Sequence, residues 1–84
     1  MKRKLNVGDL VYFEFEDHCT DAPTWIKTEK LLHSVCVVNA VGFVARNTGK
    51  YLTVVQLMQA DGNVVSQSFT VVKSCITKLI KLRR

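Results

Sequence analysis

The stretch Leu10-Val11-Tyr12-Phe13-Glu14-Phe15-Glu16 decides the fold class. Val11, Phe13 and Phe15 fall on one side of an extended chain, and Tyr12, Glu14 and Glu16 fall on the other. That is the period-two alternation of a half-buried β-strand. Gly8-Asp9 in front of it reads as a turn. Four further runs rich in Val, Ile, Thr and aromatics extend from Val35 to Arg46, Tyr51 to Gln59, Val64 to Val72 and Cys75 to Leu82. Between them, Asn47-Thr48-Gly49-Lys50 predicts a hairpin turn with Gly49 able to take positive φ. Asp61-Gly62 is a strong hairpin signal and Lys73-Ser74 a tight turn. Gly42, inside the second strand, marks a bend or bulge.

Within these strands the apolar positions suggest which way each faces. The third strand is apolar on both sides, with Leu52, Val54 and Met58 against Tyr51, Thr53, Val55 and Leu57. On the fifth, Ile76, Ile80 and Leu82 are expected inward with help from Leu79. Residues His18 to His33 interrupt the pattern. A polar loop ends at Pro23, and Thr24 or Asp21 is placed to cap a short helix from Trp25 to Leu32; a long excursion between two strands fits as well. Five short strands in this length must close or cover their edges. A long first loop, two hairpins and a very short last connection match the plan of a small five-stranded SH3-like barrel. The expectation is a mainly all-β chain, with residues 1–84 forming one domain.

Composition narrows the class. The chain has 84 residues, 48% hydrophobic and 23% charged, which fits a folded domain and excludes disordered and collagen-like chains. No apolar run reaches the ~18–20 residues that span a bilayer, so no membrane role is expected. Basic Met1-Lys2-Arg3-Lys4 is followed by Leu5-Asn6-Val7-Gly8-Asp9 rather than an apolar stretch, which argues against a secretory signal. Twelve Lys and Arg against seven Asp and Glu give a net charge of +5, with basic ends and acids concentrated between Asp9 and Asp21. Cys19, Cys36 and Cys75 are odd in number and widely spaced, so they predict reduced thiols, with Cys36 and Cys75 as small core residues.

Several stretches resemble small phage and prophage proteins of uncharacterised function. Val7-Gly8-Asp9-Leu10-Val11-Tyr12-Phe13-Glu14-Phe15-Glu16-Asp17 is similar to their opening Gly-Asp-aliphatic-Val-Tyr-Val-Glu-Trp-x-Asp. The likeness continues at Val41-Gly42-Phe43-Val44, at Tyr51-Leu52-Thr53-Val54-Val55-Gln56 and at Val72-Lys73-Ser74-Cys75-Ile76-Thr77-Lys78-Leu79. The chain departs from the group in Phe15 and Phe43, where Trp is commoner, and in its basic tail. The resemblance implies a viral accessory protein with an SH3-like barrel, acting in the cytoplasm of an infected or lysogenic bacterial host. It carries over no catalytic or binding residue.

No catalytic pattern stands out. His18, Cys19, His33 and Cys36 contain one close pair of metal-ligand spacing, His33 to Cys36, and adjacent His18 and Cys19 point apart in a strand, so no metal or cofactor is expected. Nothing lowers a thiol pKa for a Cys–His nucleophile. Asn47-Thr48-Gly49-Lys50 lacks the glycines and following helix of a phosphate loop. The expected function is a non-catalytic protein-interaction module binding a host or viral protein, with Trp25, Leu31 and Leu32 as anchors; the alternative for these side chains is to cover the open end of their own barrel. A second reading is a nucleic-acid-binding barrel using Lys2, Arg3, Lys4, Lys78, Lys81, Arg83 and Arg84, brought together because first and last strands pair. The simpler role for those lysines is cross-strand pairing with Glu14 and Glu16. A third reading is self-assembly into a homo-oligomer through exposed sheet edges.

Overall fold

The computed structural model describes residues 4–18, 25, 27–30 and 35–83. Five strands, β1 (Leu10–His18), β2 (Val35–Asn47), β3 (Tyr51–Met58), β4 (Val65–Val72) and β5 (Ile76–Lys81), form one antiparallel sheet in the order β4-β3-β2-β1-β5. The sheet is open, with β4 and β5 as its edges. A 3₁₀ turn at Lys73–Cys75 leads into β5, so Cys75 is not part of that strand. In the long first connection the described residues contain a 3₁₀ turn at Thr28–Lys30 and no α-helix; the remainder of the expected Trp25–Leu32 helix lies outside the described residues.

The alternation in β1 holds. Val11, Phe13 and Phe15 are buried and join Val44, Leu52, Val54 and Val71 in one core, against which Leu5, Val38, Ala40, Ile76 and Leu79 pack. Phe13 lies between Ala40 of β2 and Leu79 of β5, so a small and a large neighbour flank the ring. Leu52 and Val54 face inward, and Val55 is buried too.

β5 departs from the expected faces. A register shift between Glu14 and Phe15 leaves Thr77 unopposed, with its hydroxyl hydrogen-bonded to the Glu14 carbonyl at 3.3 Å. That extra residue switches the phase of the strand. Ile76 and Leu79 face the core, while Ile80 lies opposite Tyr12 on the outer side and is exposed.

β2 serves two neighbours in turn. Residues 35–43 pair with β1, and Phe43 to Asn47 pair with β3, with a register shift between Val44 and Arg46. The handover occurs at Phe43, next to Gly42, where an added Cβ would lie 3.1 Å from Val54 Cβ. Gly42 is therefore a close approach between strands, and the bulge falls at Ala45. The β2–β3 turn is held by Thr48, whose hydroxyl accepts from the Tyr51 N–H at 3.1 Å. Among the described residues positive φ occurs at Gly8, Gly62 and Gln67, so Gly49 does not supply the expected left-handed position.

Beyond Phe15, the β1–β2 hairpin runs past the core as an arm. Val35 and Val37 are exposed there, and the Cα radius of gyration of 16.1 Å exceeds the ~12 Å of a compact domain of this length. This corrects the expectation for Cys36: it is exposed, lies opposite Asp17 on the arm and is disulfide-bonded, whereas Cys75 is a half-buried free thiol. Alkylation of the unreduced native protein, read by peptide-mapping mass spectrometry, is expected to label Cys75 and to spare Cys36 until reductant is added; Cys36 labelled without reductant would contradict the bond.

Gln67 holds φ 59° in the middle of β4. This left-handed region costs an ordinary residue about 1–2 kcal/mol, and a β-branched side chain tolerates it worst. Gln67→Val is therefore expected to lower stability by about 1–2 kcal/mol despite the better strand propensity of valine, and Gln67→Gly to be neutral or stabilising. Thermal denaturation of both variants tests this; a stabilised Gln67→Val would contradict it.

Candidate functional site

Two surfaces carry features that could engage a ligand. The first is a groove between the arm and the β3–β4 hairpin. The β3 ladder ends at Phe43, so Val37–Val41 have β1 as their one strand neighbour among the described residues. At the point of separation the Gln56 side-chain amide donates to the Val41 carbonyl at 2.7 Å, standing in for the backbone donor the ladder no longer supplies. Beyond it opens a hollow of about 400 Å³ lined by Phe15, Val38, Ala40, Val41, Val54 and Phe69. Phe15 and Phe69 form its floor, with ring centroids 5.4 Å apart, and Phe69 is 44% exposed. A second hollow of about 390 Å³ continues from the same two rings past Glu16 and Asp17 to Val72 and Cys75.

The second surface is the outer face of β2, β3 and β4. The register aligns Tyr51 with Val72, Arg46 with Thr53, and Thr53 with Thr70. These residues project away from the core, whereas Leu52 and Val54 on the same strand project into it. The Thr53 and Thr70 hydroxyls share a hydrogen bond of 2.7 Å, and Lys50 Nζ lies 5.8 Å from the centroid of the Tyr51 ring. The Lys73 N–H donates to the Lys50 carbonyl at 2.9 Å, which sets the two lysines side by side in the chain path. The sequence pattern marks none of these residues for binding. The available signal was an absence of acids: after Gly42 the chain has seven cations and one acid, Asp61.

The residues expected to bind are placed as follows. Trp25 is fully exposed; Leu31 and Leu32 lie outside the described residues. Among the terminal cations, Lys2, Arg3 and Arg84 also lie outside them. Lys78 and Lys81 are separated by three positions on β5, an odd number that sends them to opposite faces: Lys78 stands opposite Glu14 on the outer side and Lys81 opposite buried Val11. Lys81 pairs with Asp9 at 3.3 Å. The start of β1 and the end of β5 do meet, through the Leu82 N–H and the Leu10 carbonyl at 2.8 Å. The chain before β1 then crosses to the β2 side, where Gly8 donates to Val44 at 2.8 Å and Asn47 to the Leu5 carbonyl at 3.5 Å. Lys4 thus sits by the end of β2, and Lys78, Lys81 and Lys4 do not form one patch. The expected pairing of Glu14 with a lysine is replaced by a hydrogen bond from the Tyr12 hydroxyl.

That bond, then desolvation, then the Glu14 charge push the Tyr12 phenol above its ordinary value. The folded state holds the proton more tightly, so this contribution is in place below about pH 10 and is lost as pH rises above it.

No family model, curated protein or solved structure matches the chain. Among the described residues, no helix is long and apolar enough to cross a membrane. The metal set imagined from sequence cannot use Cys36, whose sulfur is in a disulfide; Cys19 and His33 lie outside the described residues.

Proposed function

We propose that the chain is a non-catalytic protein-interaction module of the small SH3-like barrel type, a phage-type accessory protein whose partner is a host or viral protein. The strand order with β1 between β2 and β5, the long first connection, the 3₁₀ turn before β5 and the handover of β2 at Phe43 support the barrel reading. The observation that carries the function is the groove floored by Phe15 and Phe69 beside Val37–Val41 of β2. An extended segment laid there gains backbone hydrogen bonds from the strand edge and apolar contact from the floor, the two ingredients of strand addition. Fully exposed Trp25 on the connection from the arm provides an additional anchor.

Selection of a displayed random-peptide library against the folded protein tests the reading. Enriched peptides should shift the amide resonances of Val37–Val41 and Phe69, and Phe69→Ser should abolish their binding while leaving the fold intact. Absence of enrichment, or shifts confined to β5, would overturn it.

A further inference from the structure

We propose that the outer face of β2, β3 and β4 is a binding platform for single-stranded nucleic acid, with the Tyr51 ring as stacking surface and Arg46, Lys50 and Lys73 as phosphate contacts. This site is separate from the groove beside Val37–Val41 and from Lys78 and Lys81 on β5.

The argument starts from charge placement. Arg46, Lys50 and Lys73 stand at one end of the three-stranded section, and Lys4 approaches the same end through the Leu5–Asn47 contact. Asp61, beyond the far end of β3, lies about 25 Å from Lys50 at the rise of a strand. That exceeds the ~10 Å screening length of moderate salt. Asp9, next to Val44, has its carboxylate engaged by Lys81 at 3.3 Å and by the Asn6 N–H at 2.8 Å. Lys81, by contrast, is held in an ion pair with Asp9.

Charge alone would suit any polyanion. The second observation selects nucleic acid. Tyr51 is 43% exposed on the same face as Arg46, and the floor between them and the β3–β4 turn is a hollow of about 370 Å³ that includes Arg46, Thr53, Val55 and Ser68. An exposed ring, a guanidinium and small hydroxyl residues on one face match a base that stacks while its phosphates meet cations. Base faces are accessible in single strands and hidden in a duplex, so the platform favours the single-stranded form. DNA and RNA share the features used.

The test is fluorescence anisotropy of a labelled oligothymidylate with the full chain. Binding is expected to weaken about 100-fold for each tenfold rise in salt, as three phosphate contacts would give. Tyr51→Ala should weaken it about 5- to 150-fold, the effect of losing one stacked base, and Tyr51→Phe should retain it. Arg46→Gln with Lys50→Gln should reduce affinity far more than Lys78→Gln with Arg83→Gln, which removes equal charge elsewhere. Circular dichroism of each variant establishes that the fold persists. The proposal is overturned by absence of binding at low salt, by equal losses in the two charge-matched double variants, or by polyaspartate competing as well as the oligonucleotide with Tyr51→Ala unaffected.

Discussion

Phe13→Ala is expected to lose about 3–5 kcal/mol of stability and to leave much of the chain unfolded without denaturant. Phe13 is fully buried, and its ring centroid lies 5.8 Å from that of Phe15. It occupies the middle strand of the β2-β1-β5 section, so truncation opens a void between Ala40 and Leu79, on strands held in place by their own ladders. Ala40 has no side chain long enough to fill it. A chain of this length has about 4–12 kcal/mol of stability in total, and the described core contains eight buried hydrophobic residues, so one ring is a large share. Urea denaturation followed by far-ultraviolet circular dichroism is the suitable measurement, since fully exposed Trp25 reports little of the core. Phe13→Leu, which keeps most of the volume, should cost about 1–1.5 kcal/mol. A loss below 1 kcal/mol for Phe13→Ala would mean that β1 does not pair with β2 and β5 in the register described.

Val11, Phe13 and Phe15 announce themselves because β1 is regular, buried on one face and polar on the other. The turn at Asp61-Gly62 was equally plain: Gly62 takes φ 79° and the Asp61 carboxylate accepts from Asn63. Phase was not legible on β5, because the extra residue at Thr77 is a property of pairing with Glu14 and Phe15, and nothing in Ile76-Thr77-Lys78-Leu79-Ile80 marks it. Cys36 misled for a different reason. The run Val35-Cys36-Val37-Val38 is as apolar as a core strand, yet a strand buries residues only where a second layer covers it. On the arm the described residues supply none past Phe15 and Val38.

The binding surfaces were harder to foresee than the strands. Apolar anchors were sought in the long first connection and cations at the chain ends, where each is dense in sequence. The groove instead arises where β2 changes partners, and its floor joins Phe15 with Phe69, residues far apart in the chain. The platform joins Arg46, Tyr51 and Thr70 by register alone. Both depend on which residues face one another across strands, a relation that local periodicity does not encode.

The same dependence makes Gly42 a sensitive backbone position. A Cβ there would stand 3.1 Å from Val54 Cβ, 3.1 Å from the Val55 carbonyl oxygen and 3.2 Å from Val54 Cγ2. Two of these atoms belong to a buried side chain and the third to backbone, one residue of a ladder in which Val55 pairs with Phe43. Relief would require β2 and β3 to move apart where β2 passes from one neighbour to the other. Gly42→Ala is expected to cost about 1–3 kcal/mol, and Gly42→Val about 3 kcal/mol or more, read by urea denaturation. Because Val54 supplies two of the three close atoms, Gly42→Ala and Val54→Ala should couple, the pair costing less than the sum by about 0.5–3 kcal/mol. A cost within 0.5 kcal/mol of zero for Gly42→Ala would show that the strands do not approach this closely. The consequence reaches the groove, since the angle at which β2 leaves β3 sets the spacing of Val41 from Val54 and Phe69. A Gly42→Ala protein that still folds should therefore bind groove peptides more weakly, while its affinity for oligothymidylate, governed by the outer face beyond Phe43, should change less.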